Sequence, residues 1–177
     1  MWTRIASAGC LGLLLGCGTA AGGDHVGEDP LRDPRGRWTV YFPTPPWERV
    51  EVTATRGVLR VPAPQGTLVM GGLPGARMGV VVEERSGTTA RQWVEAQVAS
   101  SVGRGAVLTR PPAERAVTGG RVLSATLDEG SGGHLLAAAD LPGGGTLTLE
   151  FRALRAVTDD PDLTALVASV ELRRSAP

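Results

Sequence analysis

The chain has 177 residues and no formal net charge, with 18 basic against 18 acidic side chains, and every basic side chain is arginine. Lysine and asparagine are absent and Ile5 is the single isoleucine, a composition that reads first as high-GC codon usage. The missing lysine excludes a Schiff-base lysine and a Walker-type phosphate loop, and dispersed arginines at zero net charge give no field to gather nucleic acid or an anionic membrane surface. The length suits one domain with appendages.

Residues from Ile5 to Leu15 form an apolar run of eleven, short of the about 20 that span a bilayer. The run ends in Leu14-Leu15-Gly16-Cys17. This resembles the lipobox of bacterial lipoproteins, with Leu15 bulkier than usual at its place. The resemblance implies a signal peptide over residues 1–16, a diacylglycerol thioether and acylated amino group on Cys17, and, from Gly18, residence at the outer membrane. The same stretch also fits a secretory signal cut after Ala20 or Ala21. Two or more acyl chains anchor stably where one binds only marginally. Cys10 would leave with the signal, so the exported part has no disulfide, thiol nucleophile or thiolate metal site.

Gly18 to Arg35 lacks periodicity and holds two large aliphatics, Val26 and Leu31, so residues 17–36 read as a tether and residues 37–174 as the domain. Trp38, Val40 and Phe42 alternate with Thr39 and Tyr41 as a strand ending at Pro43. Val50 to Ala54, Val58 to Val61, Thr67 to Met70 and Met78 to Glu84 continue a meander, broken by Gly71-Gly72-Leu73-Pro74-Gly75. Thr89 and Gln92 have capping-box spacing before a helix whose Ala90, Trp93, Val94, Val98 and Val102 share a face, with Gly103 as its stop. Val107 to Thr109 is a short strand before Pro111-Pro112. Arg121 to Leu127, His134 to Asp140 and Thr146 to Arg152 are strands joined by Gly-rich hairpin turns. Asp160 and Pro161 open a second helix, and Val170 to Arg173 closes the chain as a strand.

This order predicts an α+β fold with a central antiparallel sheet, in one domain. Its carriers are Phe42-Pro43 to Trp47, the helix from Thr89 to Val102, the Gly-led strand Gly119-Gly120-Arg121-Val122 and the closing Leu166 to Leu172. Together they resemble the Mog1/PsbP-like family, which includes bacterial lipoproteins related to DcrB. The resemblance implies an α/β/α sandwich, helices flanking the central sheet, and no catalytic residues.

Chemistry is sparse. Asp128, Ser131 and His134 contain the residue types of a hydrolase triad, but Glu129-Gly130-Ser131-Gly132-Gly133 is not a Gly-x-Ser-x-Gly elbow, and a mobile turn with a solvated His134 is the expectation. Asp159, Asp160 and Asp162 lack calcium-loop spacing, and Asp160 and Asp162 are explained by helix capping. His25 and His134 are the only histidines, too few for a polyhistidine zinc site, so no metal or cofactor is expected. Trp47, on a proline-stiffened loop, and Leu73 are the candidate interaction surface, with packing over the sheet edge as the other reading of Trp47. The expectation is a non-catalytic binding or assembly module of the envelope, bound to the membrane through Cys17 and to an envelope protein. The alternative is a carrier of a lipid or small apolar ligand in a sheet–helix cavity lined by the Trp93 face.

Overall fold

The computed structural model describes residues 30–42, 47–62, 76–154 and 161–173. Cys17, His25, Leu73 and the expected strand from Thr67 to Met70 lie outside these residues. The elements in chain order are β1 (Leu31–Arg32), β2 (Trp38–Val40), β3 (Glu48–Val52), β4 (Arg56–Pro62), β5 (Ala76–Arg85), α1 (Ala90–Gly103), β6 (Val107–Val117), β7 (Gly120–Asp128), β8 (Gly133–Asp140), β9 (Thr146–Ala153), α2 (Pro161–Ala168) and β10 (Val170–Leu172). Seven strands form one antiparallel sheet in the order β3-β4-β5-β9-β8-β7-β6, and three form a second, β1-β2-β10.

The α/β/α sandwich is therefore corrected: the fold is β-rich, with two sheets and two helices among the described residues. Two local events account for the difference. The strand opening at Trp38 does not join the large sheet but pairs with β10 and β1, so one covering layer is itself a sheet. Residues 107–117 also stay extended through Pro111-Pro112, which the sequence marks as a strand end. The strand lies at the sheet edge, where a missing N–H costs no ladder bond, and its register shifts on both sides of Arg110.

Strand alternation divides the large sheet into two faces. One face carries Leu59, Val61, Val80, Val82, Leu135, Leu149 and Phe151, and buries them against Trp38, Val40, Leu166, Val167 and Leu172 of the small sheet and α2. The other carries Leu123, Ala125, Leu127, Leu136 and Ala138, which pack under Ala90, Trp93 and Val94 of α1. Towards β3, β4 and β5 this second face becomes more polar, with Arg60, Glu48, Arg56, Glu51 and Glu83 around Val58 and Val81.

The capping box forms: Gln92 N–H donates to Thr89 Oγ1 at 3.2 Å and Thr89 N–H donates to Gln92 Oε1 at 3.0 Å. Ala90 N–H donates to Asp140 Oδ1 at 2.7 Å, which seats the helix start on the end of β8. At the other end Gly103 is still helical, and Gly105 takes the left-handed conformation at φ 96°. Val102, expected on the buried face, is 46% exposed.

Residues 30–36, grouped with the tether from sequence, belong to the fold. Leu31 is buried and pairs in register with Val40, and its side chain fills the space above Gly57, where a Cβ would stand 2.2 Å from Leu31 Cδ1. Gly119 is likewise required, at φ 80° with the Leu172 carbonyl 1.7 Å from where a Cβ would sit. That approach lets Leu172 N–H donate to Thr118 O at 2.8 Å and joins the two sheets.

Candidate functional site

Two groups of ionisable side chains and one cleft stand out among the described residues. The first group grows from the β7–β8 hairpin. Gly130 turns it at φ 76°, with its N–H donating to Asp128 Oδ1 at 2.7 Å, and β8 then places His134 opposite Leu127 and Arg152. Glu150 and Arg152 are two apart on β9 and share that face.

His134 is 1% exposed, so the solvated histidine expected in this turn is corrected. Its Nδ1 lies 3.1 Å from Glu129 Oε1 and its Nε2 lies 3.2 Å from Glu150 Oε1, the second contact too poorly aligned for a hydrogen bond. Arg152 joins the two carboxylates, donating to Glu129 Oε2 at 3.0 Å through Nη1 and to Glu150 Oε1 at 3.0 Å through Nη2. The Glu150 carboxyl is held down to about 2, chiefly by the His134 ring against it. Burial opposes this, and the charges of His134 and Arg152 and the Arg152 hydrogen bond reinforce it. With both ring nitrogens turned to carboxylates, His134 has none left to face a Ser131 hydroxyl, and the Asp128–Ser131–His134 set is not assembled. Among the described residues no three His, Cys, Asp or Glu side chains are grouped to hold a metal.

The second group lies between the sheets. Arg37 is 6% exposed and donates through Nε to Asp33 Oδ2 at 2.7 Å, through Nη2 to Glu84 Oε2 at 2.5 Å and through Nη1 to Gly144 O at 3.2 Å. It ties the segment between β1 and β2 to β5 and to the β8–β9 turn. Burial works against the Asp33 charge, yet the Arg37 side chain and the N–H groups of Arg35 and Arg37 outweigh it, and the carboxyl is lowered from its ordinary value. Arg37 is raised, by its bonds to Asp33 and then Glu84. Nothing local in the sequence singles out Arg37, and Glu84 stands there only as the last residue of an expected strand.

The cleft, of about 280 Å³, opens between β1 and the β3–β4 hairpin, with Leu31, Arg32, Trp38, Arg49, Val52 and Arg56 in its walls. A second cleft of about 300 Å³, at the start of α1, mixes Arg91 and Arg121 with Glu114 and Asp140. A third, of about 70 Å³, lies where β6 bulges beside Thr164 and Val167.

Of the sequence-stated surface residues, Trp47 is in the core. It is 6% exposed, with its ring centroid 5.8 Å from that of Phe42 and 6.2 Å from that of Phe151, so it is neither an exposed contact nor a cover on the sheet edge but packs on the central strand β9. Leu73 and Cys17 are outside the described residues. No described helix is long and apolar enough to cross a membrane.

No family model and no curated protein matches the sequence. Among solved structures, a protein of Bacteroides thetaiotaomicron VPI-5482 is similar over 82% of this chain and 48% of its own, at 10% identity and a TM-score of 0.43. The chain thus spans about half the length of that protein.

Proposed function

We propose that the chain is a lipid-anchored envelope protein, held at Cys17, whose β-rich domain binds a protein partner of the envelope and carries out no reaction of its own. The observation that carries the binding reading is the polar half of the large sheet. Glu48 with Arg60, Glu51 with Arg56 and Glu83 with Arg85 set alternating charges on a half-exposed face that α1 leaves to one side. Such a face gives orientation and specificity to a partner with the complementary pattern more than raw affinity. The carrier alternative needs an apolar space under α1, and there Trp93 and Val94 pack on Leu123, Leu127 and Leu136.

Photo-cross-linking in intact envelopes tests this reading. A photoreactive residue at Arg60 is expected to capture one discrete protein, and the same residue at Arg91 on the outer side of α1 is not. Equal cross-linking at both positions would sink the assignment of that face. The anchor is tested by palmitate labelling, which Cys17→Ala should abolish; equal labelling of wild type and variant overturns it.

A further inference from the structure

His134 is a buried ionisable side chain that belongs to no catalytic set. It stands on β8 with a carboxylate against each ring nitrogen, Glu129 Oε1 at 3.1 Å from Nδ1 and Glu150 Oε1 at 3.2 Å from Nε2. Arg152 closes the group by donating to both carboxylates, and among the described residues these side chains pair only with one another. The neighbouring elements bring no further charge to the ring. α1, which packs over β8, turns Arg91 and Glu95 to each other on its outer side and Arg104 onto Ser100 and Ser101. At the end of β7, Asp128 accepts from Gly130 N–H within its own turn.

This arrangement suits a ring with two protons better than a ring with one. The imidazolium has an N–H for each carboxylate, whereas the neutral ring has a single N–H and turns a lone pair towards one of them. With the ring 1% exposed, solvent does little to offset that repulsion. The two carboxylates differ in their freedom to move away. Glu150 lies within a central strand, opposite Leu136 of β8 and Val81 of β5, whereas Glu129 lies in the β7–β8 turn, where its N–H donates to Gly132 O at 2.9 Å. We propose that His134 is a proton-operated latch on that turn. Protonated on both nitrogens, it clasps Glu129 and Glu150 and shuts the turn against β9; when one proton leaves to solvent, Glu129 is released and the turn opens. Glu150 is held at about 2, so it stays ionised through the range of about pH 5 to 8 in which histidine side chains change charge. The latch borders the polar face proposed for a partner, with Glu150 opposite Val81 and Arg152 opposite Gly79 of β5, and its test does not depend on that face.

NMR on the full chain between about pH 5.5 and 8 provides the test. The His134 ring signals, resolved from those of His25, report the proton, and hydrogen exchange of the Glu129 amide, corrected for the intrinsic effect of pH, reports the turn. Protection of that amide should fall by about tenfold as the ring loses its proton. The Leu141 amide, which donates to Gly145 O at 2.9 Å in the β8–β9 turn, should keep its protection. In Glu129→Gln the side-chain amide can face either a donor or a lone pair, so protection at position 129 should be the same at both ends of the range. A merely structural contact would instead be weakened by Glu129→Gln to the same extent at every pH and would leave the wild-type turn insensitive to the ring. Equal wild-type protection at both pH values while His134 titrates overturns the latch. So does a ring that keeps one protonation state throughout, or a pH dependence of the turn that survives in Glu129→Gln.

Discussion

Two arginines in this protein each sit between two carboxylates, and they do different work. Arg37 joins Asp33 and Glu84 where the small sheet closes on the large one, with side-chain exposures of 7% for Arg37, 3% for Asp33 and 17% for Glu84. Arg152 joins Glu129 and Glu150 on the opposite face, with 25%, 24% and 30%. The chemistry is the same, and the surroundings set its worth. Charges taken out of water depend on one another, because each alone would stay buried without compensation. Charges that keep part of their hydration can lose a partner and recover some of the loss from solvent. The first cluster fixes how two layers meet; the second holds a hairpin turn against its neighbouring strand.

The largest expected effect follows from the buried cluster. Arg37→Ala leaves Asp33 and Glu84 facing each other without their cation and should lower the free energy of unfolding by about 3–5 kcal/mol, read from urea denaturation. A loss under about 1 kcal/mol would mean that the sheets are held by apolar contact alone. Trp47→Ala should cost a similar about 3–5 kcal/mol, since it empties a site against Phe42 and Phe151. Were Trp47 instead a surface contact, its removal would leave stability untouched.

What the sequence made legible is what short-range chemistry decides. Thr89 and Gln92 announce the helix start because both ends of the capping box lie within one turn, and the strands from Arg121 to Arg152 are readable because glycine-rich turns separate runs of β-formers. The rest depends on partners far along the chain. Arg37 reaches Glu84 across 47 positions and Gly144 across 107, and nothing local to Arg37 names either. Leu31 looks like tether until Gly57, lacking a side chain, leaves it a place to pack. Pro111-Pro112 mark a strand end anywhere except at an edge, and which strand is the edge is a property of the whole sheet. For His134 there was a usable hint, the Glu150 and Arg152 spacing on one strand face, but the register that sets them beside the histidine is a cross-strand fact.

The half-exposed cluster gives the intermediate effects. His134→Ala leaves Glu129 and Glu150 with only Arg152 between them and should destabilise by about 1–3 kcal/mol, less than Arg37→Ala. Acid titration separates the contributions further. Because the Glu150 carboxyl is lowered from 4.5 to about 2 in the folded protein, it adds stability that is fully present above pH 4.5 and is lost as the pH falls through about 2. The stability difference between wild type and Glu150→Gln should therefore shrink below pH 4.5 and level off below about pH 2. A difference that persists unchanged across that range would show that Glu150 acts through packing and not through charge.

The smallest effect belongs to the polar face, and it supplies the end point of the series. Arg60 donates through Nε to Glu48 Oε2 at 3.0 Å, with exposures of 33% and 50%, so both partners keep part of their hydration. Arg60→Ala should cost only about 0.2–1 kcal/mol. Salt distinguishes this pair from Arg37 more sharply than the size of the loss does. At 1 M salt the screening length falls to about 3 Å, the reach of the contact itself, and the Arg60→Ala penalty should nearly vanish. The Arg37→Ala penalty should survive in large part, since Arg37 and Asp33 are withdrawn from the salt solution. A surface pair so weak contributes little to the fold, so exchanging it for contacts with a partner laid across β3, β4 and β5 would cost the fold little.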